Sequence, residues 1–151
     1  MAEDTNRLRV RLVTPERTLF EHAATAVELP AKTGYMEVLY GAAPLMTELG
    51  AGDVIVHGET DSKTVGEAGG PESVSRYNVS WGFVEVLPDR VTILASDALE
   101  PKEIDVTRAR EQLDRGHKMW NEAGDSEDAY TEALRVIAEA EAKLASAAEK
   151  N

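Results

Sequence analysis

The stretch Arg90-Val-Thr-Ile-Leu-Ala-Ser-Asp-Ala-Leu-Glu-Pro-Lys-Glu-Ile-Asp-Val-Thr-Arg-Ala109 decides the fold, because the spacing of apolar residues changes inside it. Up to Ala95 the pattern is that of a β-strand, Val91–Ala95. Past Pro101 it becomes helical: Val106, Ala109, Leu113, His117 and Trp120 fall on one stripe. Pro101 stops a helix from growing backwards, because the ring removes a backbone donor and crowds the preceding turn. Asp105 is placed to cap the new helix, since its carboxylate can accept from an N–H left open in the first turn.

Working towards the N-terminus, Leu8, Val10 and Leu12 alternate with Arg7, Arg9 and Arg11, which reads as a half-buried strand. Further strand candidates are Thr25–Leu29, Tyr35–Tyr40, Leu45–Leu49, Val54–His57, Arg76–Ser80 and Phe83–Leu87. Ala51-Gly52-Asp53 and Leu87-Pro88-Asp89-Arg90 read as turns, the second with Pro where a type I turn wants it. Short strands at this spacing predict an antiparallel all-β sandwich or barrel before Pro101. The polar, glycine-rich Gly58–Ser73 reads as a long hairpin loop.

Towards the C-terminus, Asn121-Glu-Ala-Gly-Asp125 breaks the first helix. A second starts near Ser126, with Tyr130, Ala133, Leu134, Ile137 and Leu144 as its stripe. Residues 101–151 are therefore expected to form an antiparallel α-helical hairpin. Its stripes are thin and rich in alanine, and small side chains bury little area, so the hairpin is expected to be only modestly held.

Composition narrows the function. The 151 residues include no cysteine, which removes disulfides and thiolate chemistry. The formal net charge of -12 disfavours nucleic acid and anionic lipid as partners. No apolar run approaches the ~20 residues of a membrane helix, and the acidic start resembles neither a signal nor a transit peptide. The expected location is cytoplasmic, with any membrane association through a protein partner and no direct insertion. His22, His57 and His117 are not at metal-ligand spacing, and no phosphate-binding loop or nucleophile elbow is present. Trp81 and Trp120 read as packing anchors. In the first helix, Arg108, Arg110, Arg115 and Lys118 meet only Glu111 and Asp114, a local basic patch on an acidic chain. It reads either as a solvated face with pairs such as Glu111–Arg115 or as a contact for an acidic partner. From the residues alone the reading stops at a β-sandwich with a helical hairpin, a binding or coupling module.

Several segments, in their shared order, resemble the epsilon subunit of bacterial F-type ATP synthases. These are Val13-Thr-Pro-Glu-Arg17 with Leu19-Phe20; Val27-Glu-Leu-Pro30, Gly34 and Gly41-Ala-Ala-Pro-Leu45; Gly82-Phe-Val-Glu-Val86 with Val91–Ala95; and Glu103-Ile-Asp-Val-Thr-Arg-Ala109. The resemblance runs from Leu8 through almost the whole chain. It implies a non-catalytic central-stalk subunit at the cytoplasmic face of the cell membrane. A flattened, antiparallel all-β sandwich over residues 1–100 would grip the gamma subunit and stand on the c-subunit ring. The hairpin would lie against the sandwich or extend into the alpha/beta catalytic hexamer and block ATP hydrolysis. Some forty helical residues end to end would reach ~60 Å.

The resemblance also assigns residues. Tyr35, Tyr40, Gly41 and Ala42 fall in the segment that faces the c ring. Ala42 replaces a histidine there and Tyr35 a glutamate, so a more apolar contact is expected. Trp81 stands where a glycine is usual. Arg108, Arg110, Arg115 and Lys118 are candidates to meet acidic loops of the catalytic subunits. Ile104, Asp105, Arg108 and Ala109, with Arg115, match a motif by which some members bind regulatory ATP, although Glu139 and Lys143 stand where further arginines are usual. No other cofactor is implied. The competing readings are a stand-alone β-sandwich adaptor with a helical tail, which would ignore gamma, and a small carboxylate enzyme, which would need a deep acidic pocket.

Overall fold

The structure is a computed structural model that describes residues 6–58 and 73–148. The predicted Gly58–Ser73 loop, apart from its two ends, lies outside the described residues. Contacts divide the chain into two compact units, Met1–Ala98 and Leu99–Asn151.

The first unit contains seven strands: β1 (Leu8–Val13), β2 (Thr18–Ala24), β3 (Ala26–Ala31), β4 (Gly34–Leu39), β5 (Leu45–His57), β6 (Val74–Leu87) and β7 (Arg90–Leu99). They hydrogen-bond in the order β2-β1-β7-β6-β5-β3-β4. Core residues come from every strand, among them Leu8, Phe20, Leu29, Val38, Val54, Val84 and Ile93. A sheet whose strands all share one core must fold over on itself, and that makes the sandwich. The β1–β2, β3–β4, β3–β5 and β5–β6 pairs run antiparallel, as expected. The β1–β7 pair is parallel, which the sequence pattern did not show. A parallel pair needs a long connection, and the intervening strands supply it.

Two bends let long strands serve both layers. Ala51-Gly52-Asp53, read as a turn, lies instead within β5, so Leu45–Leu49 and Val54–His57 are one strand. On β3, Glu28 and Ala31 oppose Ile55 and Leu49, so three steps on β3 span six on β5. The extra backbone bulges. Gly52 allows it, since a Cβ there would lie 2.5 Å from the Tyr35 hydroxyl and 2.8 Å from the Pro30 Cβ. Asp53, only 7% exposed, ties the bulge to β6. It pairs with Arg76 at 3.2 Å and accepts from the Asn78 amide at 3.3 Å. β6 is likewise one strand where two were expected, Arg76–Ser80 and Phe83–Leu87. At its bend Trp81 takes φ 58° and Gly82 takes φ 124°. The left-handed region costs an L-residue roughly 1–2 kcal/mol, so Trp81 carries backbone strain where a glycine would carry none. The Pro88-Asp89 turn joins β6 to β7 as predicted.

In the second unit a single 3-10 turn, Pro101–Glu103, precedes α1 (Val106–Glu122) and α2 (Glu127–Ala148). Asp105 caps α1, accepting from the Arg108 N–H at 3.2 Å, and the Ser126 hydroxyl accepts from Ala129 N–H at 3.2 Å to cap α2. Gly124, at φ 60°, turns the chain between them. The buried seam is Ala109, Gly116 and Ala123 against Ala133 and Ala140. Within each helix these recur every seven residues. The predicted stripes share Ala109 and Ala133 with this seam, and the rest of each lies rotated from it. His117 and Leu134 are exposed, while Leu113, Tyr130, Ile137 and Leu144 flank the seam half-buried.

Candidate functional site

Among the described residues of the N-terminal unit, exposed apolar side chains gather in two places, with Tyr35 and Val74 exposed singly apart from them. One is the β4–β5 connection. Leu39, Tyr40, Leu45 and Met46 are exposed there, with Met46 at 67%. The loop is not loose: Gly41 adopts φ 87° and donates its N–H to the Pro88 carbonyl at 2.7 Å, binding the connection to the β6–β7 turn. Ala42 N–H donates to the Leu39 carbonyl at 3.2 Å, and the Ala42 methyl packs on the core. Tyr40, Gly41 and Ala42 therefore sit together. Tyr35 does not join them. It stands near the other end of β4, ~17 Å away at ~3.3 Å per residue. Its hydroxyl accepts from the Asp53 N–H at 3.0 Å, bracing the β5 bulge.

The other place is a row across the outer face of the sheet. The two-residue turn sets Leu87 opposite Arg90, and counting back sets Phe83 opposite Leu94. Leu94 pairs in turn with Val13. Phe83 and Leu94 are both about half exposed. Neither this row nor Leu39, Leu45 and Met46 was singled out from the sequence. The available signal was adjacency, because two apolar neighbours in a strand, such as Leu45-Met46, cannot both face the core.

On the C-terminal unit the two sides of the seam differ. At ~100° per residue, Arg108, Arg115 and Lys118 lie within ~80° of one another on one flank of α1, and Arg110 lies on the far side with His117. None of the four cations forms an ion pair with a described residue, so the Glu111–Arg115 pairing is not made. The other flank is apolar: Trp120 meets Tyr130 edge-on at 4.6 Å. One heptad further from the turn, Leu113 and Ile137 occupy the equivalent places.

The residues of the nucleotide motif lie at the start of α1, where several have structural roles. Ile104 is buried, Ala109 lies in the seam, and the Asp105 carboxylate is engaged as the cap. Arg108 and Arg115 share a flank. Across the seam, Lys143 pairs with Glu139 at 3.1 Å. Of the histidines, His57 contacts Glu28 at 2.7 Å and His22 lies beside Phe20. No cluster of three potential metal ligands occurs among the described residues.

Residues 7–101 match the family described as the ATP synthase Delta/Epsilon chain, beta-sandwich domain. The ATP synthase epsilon chain of Solibacter usitatus is 38% identical over 144 residues, covering 95% of this chain and 97% of that one. The chain belongs to the ATP synthase epsilon-chain family. The epsilon chain of Koribacter versatilis is also 38% identical, over 75% of this chain and 71% of its own length. The chloroplastic epsilon chain of Gracilaria tenuistipitata is 31% identical, over 93% and 95%. One chain in the cryo-EM structure of the Euglena gracilis mitochondrial ATP synthase, OSCP/F1/c-ring, has the same fold. Its TM-score is 0.71, with 18% identity over 93% of this chain and 81% of that chain. The Solibacter and Gracilaria relatives, aligned over 95% and 93% of the chain, thus match both units.

Proposed function

We propose that this epsilon chain is a non-catalytic subunit of the central stalk of a proton- or sodium-translocating F-type ATP synthase. The N-terminal unit grips gamma and rests on the c ring, and the C-terminal unit restrains ATP hydrolysis. The observation that carries the ring contact is the apolar connection Leu39–Met46. Its side chains are exposed, yet its backbone is fixed to the β6–β7 turn by the Gly41–Pro88 bond. A rigid apolar prominence can transmit torque through packing, and it binds at little entropic cost because it is already ordered. The Phe83–Leu94–Val13 row provides a second surface for gamma. Membrane association then arises through the ring, at the cytoplasmic face.

Restraint of hydrolysis rests on the flank of Arg108, Arg115 and Lys118. Three unpaired cations on one side of a helix suit an acidic surface of the alpha/beta hexamer, with Arg110 reaching it from the other side. Removing the residues after Glu100 in the assembled enzyme tests this. Hydrolysis should rise several-fold while the sandwich stays bound. Unchanged hydrolysis would refute the inhibitory role and leave the stalk role standing.

A further inference from the structure

We propose that the outer face of β1, β7 and β6 is a two-row docking surface for an acidic segment of gamma, in which Arg9, Arg11 and Arg90 take carboxylates and Val13, Leu94 and Phe83 take an apolar anchor. The proposal deepens the central-stalk reading above and rests on it for the identity of the partner.

The first support is a like-charge pair. In the parallel β1–β7 register Arg9 stands opposite Arg90. Residues so paired share a face of the sheet, on strands ~4.8 Å apart. Two cations facing each other weaken a sheet unless an anion lies over them. The chain supplies one such anion for β1, where Glu21 meets Arg9 at 2.9 Å and Arg11 at 3.8 Å. Arg90 is exposed and forms no ion pair among the described residues, although Glu85 and Asp89 are near it in sequence. A lone cation held beside another is a cost to the free sheet that an acidic partner would remove. The chain as a whole carries a formal net charge of -12 and repels acidic proteins, so these arginines would also decide where such a partner lands.

The second support is the spacing of the two rows. On the outer face β1 carries Arg9, Arg11 and Val13, and β7 carries Arg90, Thr92 and Leu94 in register with them. Cations and apolar side chains are thus four residues apart, ~13 Å. A partner strand matches that with a carboxylate and an apolar residue about four positions apart, and a helix with about eight. The third support is the bend in β6. Val79 and Val84 are both buried although an odd number of residues separates them, so strict alternation fails between them. Trp81, at φ 58°, takes up the extra residue, and Phe83 faces outwards at 52% exposure. Backbone strain kept in order to present an aromatic ring is expected where that ring makes a contact.

The test titrates the full chain onto ATP synthase stripped of it, at about 0.01 M and about 0.15 M salt, between which the Debye length falls from ~30 to ~8 Å. The unaltered chain should bind at least tenfold tighter at the lower salt. Arg90→Glu should bind at least tenfold more weakly than the unaltered chain there, and lose most of the salt dependence. Its urea midpoint as a free chain should be equal or higher, because the new carboxylate would face Arg9. Arg90→Gln, which only deletes the charge, should fall between the two. Phe83→Ala should weaken binding about equally at both salts, and no effect of it would overturn the apolar row. Salt-insensitive binding of the unaltered chain, or Arg90→Glu and Arg90→Gln binding as it does, would overturn the proposal and leave the stalk reading standing. Failure of the unaltered chain to bind the stripped enzyme would sink the stalk reading, and the proposal with it.

Discussion

Replacing Gly116 with alanine sets two effects of similar size against each other. Alanine in a helix interior is favoured over glycine by about 1 kcal/mol, so a helix with open space at this position would gain that much. Here the added methyl would lie 2.7 Å from Ile137 Cγ1, which is not the free tip of its side chain, and 3.2 Å from backbone. Overpacking of this kind costs ~1–3 kcal/mol, because the neighbour leaves its rotamer or the helices part. The packing loss exceeds the propensity gain, and a net destabilisation of about 1 kcal/mol is expected. Native-state amide hydrogen exchange on the full chain reads this locally, and 1 kcal/mol is about a fivefold change in the opening equilibrium. Amides at the centre of α1 and around Ile137 should exchange about fivefold faster, and those of the β5–β6 core should not change. Slower exchange in α1 would mean that propensity won, and would refute the close contact that defines the seam.

Other outcomes follow from the same structure. Gly82→Ala should destabilise the sandwich by about 3 kcal/mol or more in urea unfolding, because φ 124° disfavours any side chain and the new Cβ would overlap the Leu94 carbonyl oxygen. Asp105→Ala should weaken α1 by about 1 kcal/mol and Asp105→Ser should nearly restore it, as a cap requires, measured by the same exchange experiment. With Asp105 capping and Lys143 already paired to Glu139, millimolar ATP should not shift the NMR signals of α1 and α2 in the isolated chain. Saturable shifts at Arg108 and Arg115 would show a nucleotide site. Leu45→Asp should leave stability within about 0.5 kcal/mol, since the side chain is exposed, yet reduce recovery of the c ring with the chain at least tenfold.

Strand alternation made β1 legible, and the switch of period at Pro101 made the two units legible, because both signals come from large side chains at regular spacing. The bends were harder. Ala51-Gly52-Asp53 carries turn chemistry, but its glycine serves a bulge whose cause, Tyr35 and Pro30 crossing overhead, lies on other strands. β2 was missed as a separate strand because Glu21-His22-Ala23 interrupts its apolar run. The helix seam was misplaced for a related reason. Ala109 and Ala133 were on the predicted stripes, but Gly116, Ala123 and Ala140 are too small to stand out in a hydrophobic pattern, so Trp120 and His117 drew the rest of the stripe away from it. Trp81 was visible as an oddity, and the structure shows why: it occupies a left-handed position. The exposed apolar row Phe83–Leu94–Val13 depends on pairing between distant strands, which no local pattern reports.

The most direct measurement is quantitative affinity capture of this chain from the membranes of its own cell, with gamma and c subunits counted in the eluate. One gamma per copy of the chain is expected, together with the c ring, and with binding retained after removal of the residues beyond Glu100. Recovery of the chain as a free monomer without gamma would contradict the assignment of the sandwich to the rotor.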